Sequence, residues 1–107
     1  MMSWHSARLL YETEVEGPPD PLPLREESIR VFVADSETAA WVRAEAVGRE
    51  NAHSYRNGAG ELVSWKFLRV IEVQDLCEER LDDGVEVYSR LFRKRRGAAK
   101  PRSGKKR

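Results

Sequence analysis

Cysteine is almost missing from this chain. The single thiol, Cys77, excludes a disulfide framework and an all-cysteine metal site. Long apolar runs are missing as well. Nothing approaches the roughly 18 residues that a membrane-spanning helix needs, so no membrane segment is expected. The stretch from Met1 to Arg8 is polar and aromatic and lacks the apolar core of a signal peptide, which points to a cytoplasmic protein. There are two histidines, His5 and His53, and neither has an H-x-H or H-E-x-x-H neighbour, so no metal or cofactor is expected. A glycine-rich phosphate loop, a nucleophile elbow and a spaced carboxylate pair are also missing. The sequence leans away from an enzyme.

What the chain does have is charge, and it is segregated. The 107 residues carry 19 Lys+Arg and 18 Asp+Glu, a formal net charge of +1. All 18 acids but only 10 of the bases lie in residues 1–92, which makes that part −8. Residues 93–107 hold the other nine bases and no acid, so they carry +9. The chain is 40% hydrophobic, and nearly all of that lies in residues 1–92, which have enough apolar surface for one modest core. Residues 93–107, with small and helix-breaking residues between the cations, do not, and are expected to form a disordered tail. Arginine outnumbers lysine 14 to 5, a bias that suggests a GC-rich bacterial genome.

Periodicity and turn chemistry predict six elements in residues 1–92. Residues 4–15 alternate, with Ala7, Leu9, Tyr11, Thr13 and Val15 on one face and Arg8, Glu12 and Glu14 on the other. Gly17, Pro18, Pro19, Pro21 and Pro23 then impose an extended loop. A second strand spans Glu27 to Ala34. Asp35 or Ser36 caps a helix that runs to about Gly48, read as its C-terminal stop. Its stripes Ala40/Ala44/Val47 and Ala39/Val42/Ala46 suit close approach to a sheet, and Trp41 lies off both. A short strand at 52–56 leads through Asn57-Gly58-Ala59-Gly60, a hairpin turn. The next strand is the most apolar. Val63, Trp65, Phe67, Ile71 and Val73 share a face broken by Arg69, which makes this strand the expected sheet centre. After a turn at Leu81-Asp82-Asp83-Gly84, a last strand is expected over Val85 to Phe92. The order is β-β-α-β-β-β, an α+β fold with an antiparallel sheet of about five strands and one helix on a face.

Four of these segments resemble a known family. Trp4-His5-Ser6-Ala7-Arg8-Leu9-Leu10-Tyr11 is similar to the opening W-Y-S-A-K-L-L-F of the domain-of-unknown-function 4288 family. Glu26-Glu27-Ser28-Ile29 resembles its second-strand motif. Tyr55, Asn57, Gly60, Glu61, Val63, Trp65 and Phe67 match its Y-x-N-x-x-G-E-x-V-x-W-x-F stretch. Asp83-Gly84 with Glu86-Val87-Tyr88-Ser89-Arg90 resembles its closing D-G-T-E-V-Y-S-R. His5 stands where the family has an aromatic, and Val85 where it has Thr. The resemblance implies a small bacterial protein, mostly of the stand-alone kind, and it brings no catalytic residue. The basic tail lies outside it.

The candidate sites are therefore binding sites. If the last two strands pair, Tyr55, Asn57, Glu61, Trp65, Glu86, Tyr88 and Arg90 form a patch of the aromatic and directional polar groups that recognition surfaces use. The same residues also suit a cross-strand ladder that only stabilises the sheet. His53, Tyr55 and Glu86 are the residues a small enzyme would use. Cys77 has the acids Asp75, Glu78 and Glu79 around it rather than the cation a nucleophilic thiolate needs, and is read as inert. In the tail, Arg93, Lys94, Arg95, Arg96, Lys100, Arg102, Lys105, Lys106 and Arg107 suit a polyanion such as nucleic acid. A tail folded back on the acidic body, or simply solvated, competes with that reading. The sequence thus points to a binding or accessory module. A regulatory or immunity-type protein, whose acidic body holds a basic protein partner, is the alternative.

Overall fold

The computed structural model describes residues 1–94. Of the tail, Arg95, Arg96, Lys100, Arg102, Lys105, Lys106 and Arg107 lie outside the described residues, and with them the expectation of tail disorder.

Strand β1 (Ser3–Val15) and strand β2 (Arg25–Ala34) form an antiparallel pair across the proline-rich loop. Helix α1 (Glu37–Glu50) follows, then the short strand β3 (His53–Arg56) and the long strand β4 (Leu62–Asp75). The sheet order is β2-β1-β4-β3, with every neighbouring pair antiparallel. β2 and β3 are the two edges, so α1 crosses one face of the sheet between them and packs on β1, β2 and β4. The fold of the described residues is α+β with four strands. Among the described residues, no helix is long and apolar enough to cross a membrane.

The expected fifth strand does not form. Residues 85–92 take no place in the sheet, whose order is β2-β1-β4-β3. The segment instead crosses the sheet face opposite the helix. The Gln74 amide donates to the Ser89 carbonyl (2.8 Å), and the Tyr88 hydroxyl reaches Glu72. Alternating apolar residues suit a paired strand, and they equally suit an extended segment laid on a face.

The core lies between the sheet and α1. Ala7, Leu9 and Tyr11 of β1, Phe32 and Ala34 of β2, Val70 and Val73 of β4, and Ala40 and Ala44 of α1 are buried together. On the other face Ser6 and Leu10 are buried too, so β1 is covered on both sides. β4, expected as the sheet centre, shares the interior position with β1 but leaves Leu62 and Leu68 exposed.

β4 also solves the problem that Arg69 poses. Strict alternation would put Arg69 on the core face. Two bulges prevent this: Leu9 pairs with Val70 after Arg8 pairs with Glu72, and Tyr11 pairs with Phe67 after Leu10 pairs with Arg69. Ile71 and Leu68 are the extra residues, and each bulge switches the face. Val70 turns into the core, Arg69 turns away from it, and Phe67 returns to the helix side. Ile71, expected on the core face, is displaced from it.

The helix begins where the sequence places it. Ser36 is the N-cap, its hydroxyl accepting from the Ala39 amide (3.0 Å), and Glu37 sits in the first turn. It ends later than expected. Gly48 is helical, and Asn51 is the C-cap, its side-chain amide donating to the Val47 carbonyl (2.9 Å). The buried stripe is Ala40, Ala44 and Gly48, while Val42 of the second expected stripe is exposed. Glycine at 48 serves close approach. A Cβ there would overlap the Phe67 ring, coming within 2.7 Å of Cδ1 and Cζ. The Tyr11 hydroxyl also donates to the Gly48 carbonyl (3.1 Å), and burial pushes the Tyr11 phenol above its ordinary value.

Alanine in a helix is ordinarily favoured over glycine by about 1 kcal/mol. Gly48→Ala should nonetheless destabilise the protein by roughly 1–3 kcal/mol, because the Phe67 ring must leave its contact with Tyr11. A urea midpoint at or above the wild-type value would contradict this packing.

Candidate functional site

The hairpin residues of the expected patch are built by β3 and β4. Trp65 stands opposite His53 and Val63 opposite Tyr55, on the side of the sheet that carries the helix. His53 and Tyr55 stack with ring centres 6.1 Å apart, and both are exposed. Beside them Arg49, Ala52, His53, Trp65 and Phe67 line a shallow cleft of about 390 Å³. Together they make an exposed aromatic surface on the hairpin.

Asn57 and Glu61 are occupied by the turn. The Asn57 side-chain carbonyl accepts from the amides of Ala59 and Glu61, both at 3.0 Å, and its NH₂ donates to Glu61 Oε1 (3.1 Å). Gly60, at φ +80°, completes the reversal. These two residues hold the hairpin and have few groups left for a ligand.

Tyr88 lies elsewhere. Its hydroxyl meets Glu72 on the opposite face of the sheet, so it does not join Tyr55 and Trp65. Arg90 lies over the Phe92 ring (5.2 Å), and Glu86 is exposed in the same segment. The seven patch residues thus divide between the hairpin and the far-face segment. Of the trio an enzyme would use, His53 and Tyr55 are together on β3, and Glu86 comes from the segment that crosses the other face.

On that face the structure assembles a charged cluster which sequence reasoning missed. The Arg8 guanidinium, 17% exposed, donates to Glu72 (2.7 Å) and to Glu27 (3.0 Å) and lies 5.2 Å from the centre of the Tyr88 ring. Burial alone would lower the Arg8 guanidinium, but its bonds to Glu27 and Glu72 outweigh burial and raise it. Glu72 is held below the ordinary carboxylate range, first by the Gln74 amide, then by Arg8 and the Tyr88 hydroxyl, against the opposing effect of burial. The cluster fastens residues 88–89 to the sheet. Arg8 is 19 residues from Glu27 and 64 from Glu72, so only the register of β1 with both neighbours could have revealed it.

The two histidines differ. His53 is exposed, whereas His5, on the helix side of β1, is 1% exposed. His5 Nδ1 lies 3.2 Å from the Ser3 carbonyl and must donate to it, which leaves Nε2 3.8 Å from the Asp75 carboxylate. Asp75 is pulled below its ordinary value by the Cys77 amide (2.8 Å) and the Ser3 hydroxyl (3.0 Å). Cys77 is exposed at φ +59°, the turn that lets the ladder resume as Trp4 donates to the Glu78 carbonyl. Among the described residues, no three His, Cys, Asp or Glu side chains are placed to hold a metal ion.

An acidic groove of about 530 Å³ lies between the proline loop and the β1–β4 pair, lined in part by Glu12, Glu14, Glu16 and Asp20. Three of these carboxylates already have cations: Arg25 on Glu12, Lys66 on Glu14 and Arg56 on Glu16.

A family model described as a domain of unknown function (DUF4288) matches residues 4–89. The chain belongs to this family. No curated protein and no solved structure matches the chain significantly. The family region takes in the sheet, the helix and the segment through Ser89, and it stops short of the basic tail. Three segments that carry the family resemblance meet in the far-face cluster: Arg8 from the opening strand, Glu27 from the second and Tyr88 from the closing one.

Two outcomes follow for these residues. The folded state favours ionised Glu72, so this stabilisation is full above the ordinary carboxylate value of about 4.3 and is lost as pH falls through the lower folded-state value. Glu72→Gln should therefore lower the urea midpoint at pH 7 and converge on wild type in acid; a gap independent of pH would exclude the assignment. Cys77→Gly should raise stability by about 1 kcal/mol, since a side chain at this φ is strained. An unchanged or lower melting temperature would count against that strain.

Proposed function

We propose that this DUF4288 protein is a non-enzymatic binding or accessory module of a bacterial cytoplasm, in which the basic tail contacts nucleic acid or another polyanion. The observation that carries this reading is the segregation of charge, +9 in residues 93–107 against −8 in residues 1–92. Fifteen residues with nine cations bind phosphates by releasing counterions, without reading sequence. The tail has no aromatic residue to stack on bases, so affinity and not sequence selectivity is its contribution. The exposed Tyr55 and His53 beside the Trp65 cleft provide a separate surface for a protein partner.

The alternative reading, an acidic body that holds a basic protein, is favoured by the segment after β4. There Glu78, Glu79, Asp82, Asp83 and Glu86 are exposed, with Arg80 bound to Asp82 as the neighbouring cation. Complementary fields of this kind speed association more than they add affinity.

Both readings can be separated with one variant. In the full chain, glutamine replaces the nine tail cations, and binding to short duplex DNA and single-stranded RNA is followed by fluorescence anisotropy. Wild type should bind with log K falling against log salt at a slope near −6 to −8 if every cation meets a phosphate. The neutral-tail variant should lose that binding, while retention of a basic protein partner by both chains would favour the alternative. Equal nucleic-acid binding by both chains would remove the proposal.

A further inference from the structure

We propose that β2 is the seam of a symmetric dimer, in which two copies of this chain pair antiparallel through their β2 edges about a two-fold axis at Ser28. β2 is an edge strand of ten residues with no proline and no bulge against β1, and its charged side chains, Arg25, Glu26, Glu27 and Arg30, are of both signs.

The pattern of backbone bonds defines which groups are free. In an antiparallel ladder, residues alternate between bonding to the neighbouring strand and pointing away from it. The Thr13 amide donates to the Leu24 carbonyl (2.9 Å), which sets the phase. Leu24, Glu26, Ser28, Arg30 and Phe32 therefore bond toward β1, and Arg25, Glu27, Ile29, Val31 and Val33 present their amides and carbonyls outward. Each end of this outward row is closed. Arg43 donates to the Val33 carbonyl (3.3 Å), and Pro23 has no amide hydrogen to offer. The open window is Arg25 to Val31, and its midpoint is Ser28.

A two-fold axis at that midpoint gives a consistent register. Glu27 pairs with Ile29 of the second copy, and Arg25 with its Val31, each pair exchanging both backbone bonds. The intervening close pairs set Glu26 opposite Arg30 of the second copy, and Arg30 opposite its Glu26. Both residues are exposed, and both stand on the helix side of the sheet, opposite Tyr11 and Ala7 of β1. Among the described residues neither makes an ion pair within its own chain. Four residues apart on one strand they cannot reach each other, but across the two-fold axis they meet twice. Moving the axis by one residue, to Ile29, would set Glu26 against Phe32 and Arg30 against Ser28, and both pairs would be lost. On the far face, Ile29 is 46% exposed, and the Glu27 stem of the second copy would cover it. Charge complementarity, bond phase and the closed ends of the window all select the same axis and the same occupant.

The test is the mass of the full-length, nuclease-treated chain by analytical ultracentrifugation, so that no nucleic acid on the tail bridges two copies. Wild type should sediment as a dimer at micromolar concentration. Arg30→Glu and Glu26→Arg each turn both cross-axis pairs into like charges and should weaken the dimer roughly ten- to a hundredfold. The double exchange E26R/R30E should restore it. Ile29→Pro removes an outward amide without touching the bonds to β1 and should give a monomer with an unchanged circular dichroism spectrum; if that variant misfolds, the charge exchange still decides. A wild-type monomer overturns the proposal, as does a dimer that Arg30→Glu leaves intact or that the double exchange fails to rescue.

Discussion

β1 has to be paired along both edges and covered on both faces, and the other elements are arranged by that requirement. A buried backbone amide or carbonyl without a partner is costly, so β2 and β4 must each run beside it. Its apolar residues point alternately up and down, so one face calls for the helix and the other for something else. The segment around Tyr88 supplies that second cover. Because Arg8 lies in the middle of the covered face, the cover has to bring acceptors and an aromatic ring, and Glu27, Glu72 and Tyr88 provide them. A largely covered guanidinium left without such partners would be costly.

The two bulges of β4 belong to the same economy. β4 must keep Glu72 beside Arg8 on one face and send Val73, Val70 and Phe67 to the other, although Arg69 interrupts its apolar series. An extra residue on each side of the Arg69–Val70 pair accomplishes this without breaking the ladder. Small residues then let the helix lie close, and Gly48 allows the Phe67 ring to reach the helix backbone. Charge is distributed around this frame. Glu12, Glu16 and Glu14 of the proline-loop groove are matched by Arg25, Arg56 and Lys66, while Glu78, Glu79, Asp83 and Glu86 in the segment after β4 are exposed. Two copies joined at β2 would present two tails to one polyanion, and that would raise avidity without a new contact.

Much of the local structure was legible in the sequence. The strands at the start of the chain, the cap at Ser36, the hairpin at Asn57–Gly60 and the α+β class all follow from short-range pattern. The family likewise could be read from four motifs, and its match over residues 4–89 agrees. What misled was any feature with two physical uses. Gly48 reads as a helix stop, and it is a packing contact inside the helix. Val85 to Phe92 alternates as a strand does, and it lies unpaired, with Tyr88 and Ser89 bonded to the far face. Of the candidate patch, Tyr55 and Trp65 were legible together because they share a hairpin, whereas Tyr88 was grouped with them on the assumption of a fifth strand.

The sequence by itself determined the separation of charge, the family, the element types and the hairpin that positions the aromatic surface, because each depends on composition or on neighbours a few residues apart. Only the tertiary structure decided which faces are covered, that Arg8 meets Glu27 and Glu72, that His5 is buried, and that β2 is left with an open edge. Those facts depend on strand order and register, where a shift of one residue exchanges every side chain between faces. Nothing in a local pattern sets that choice; the burial of β1 does.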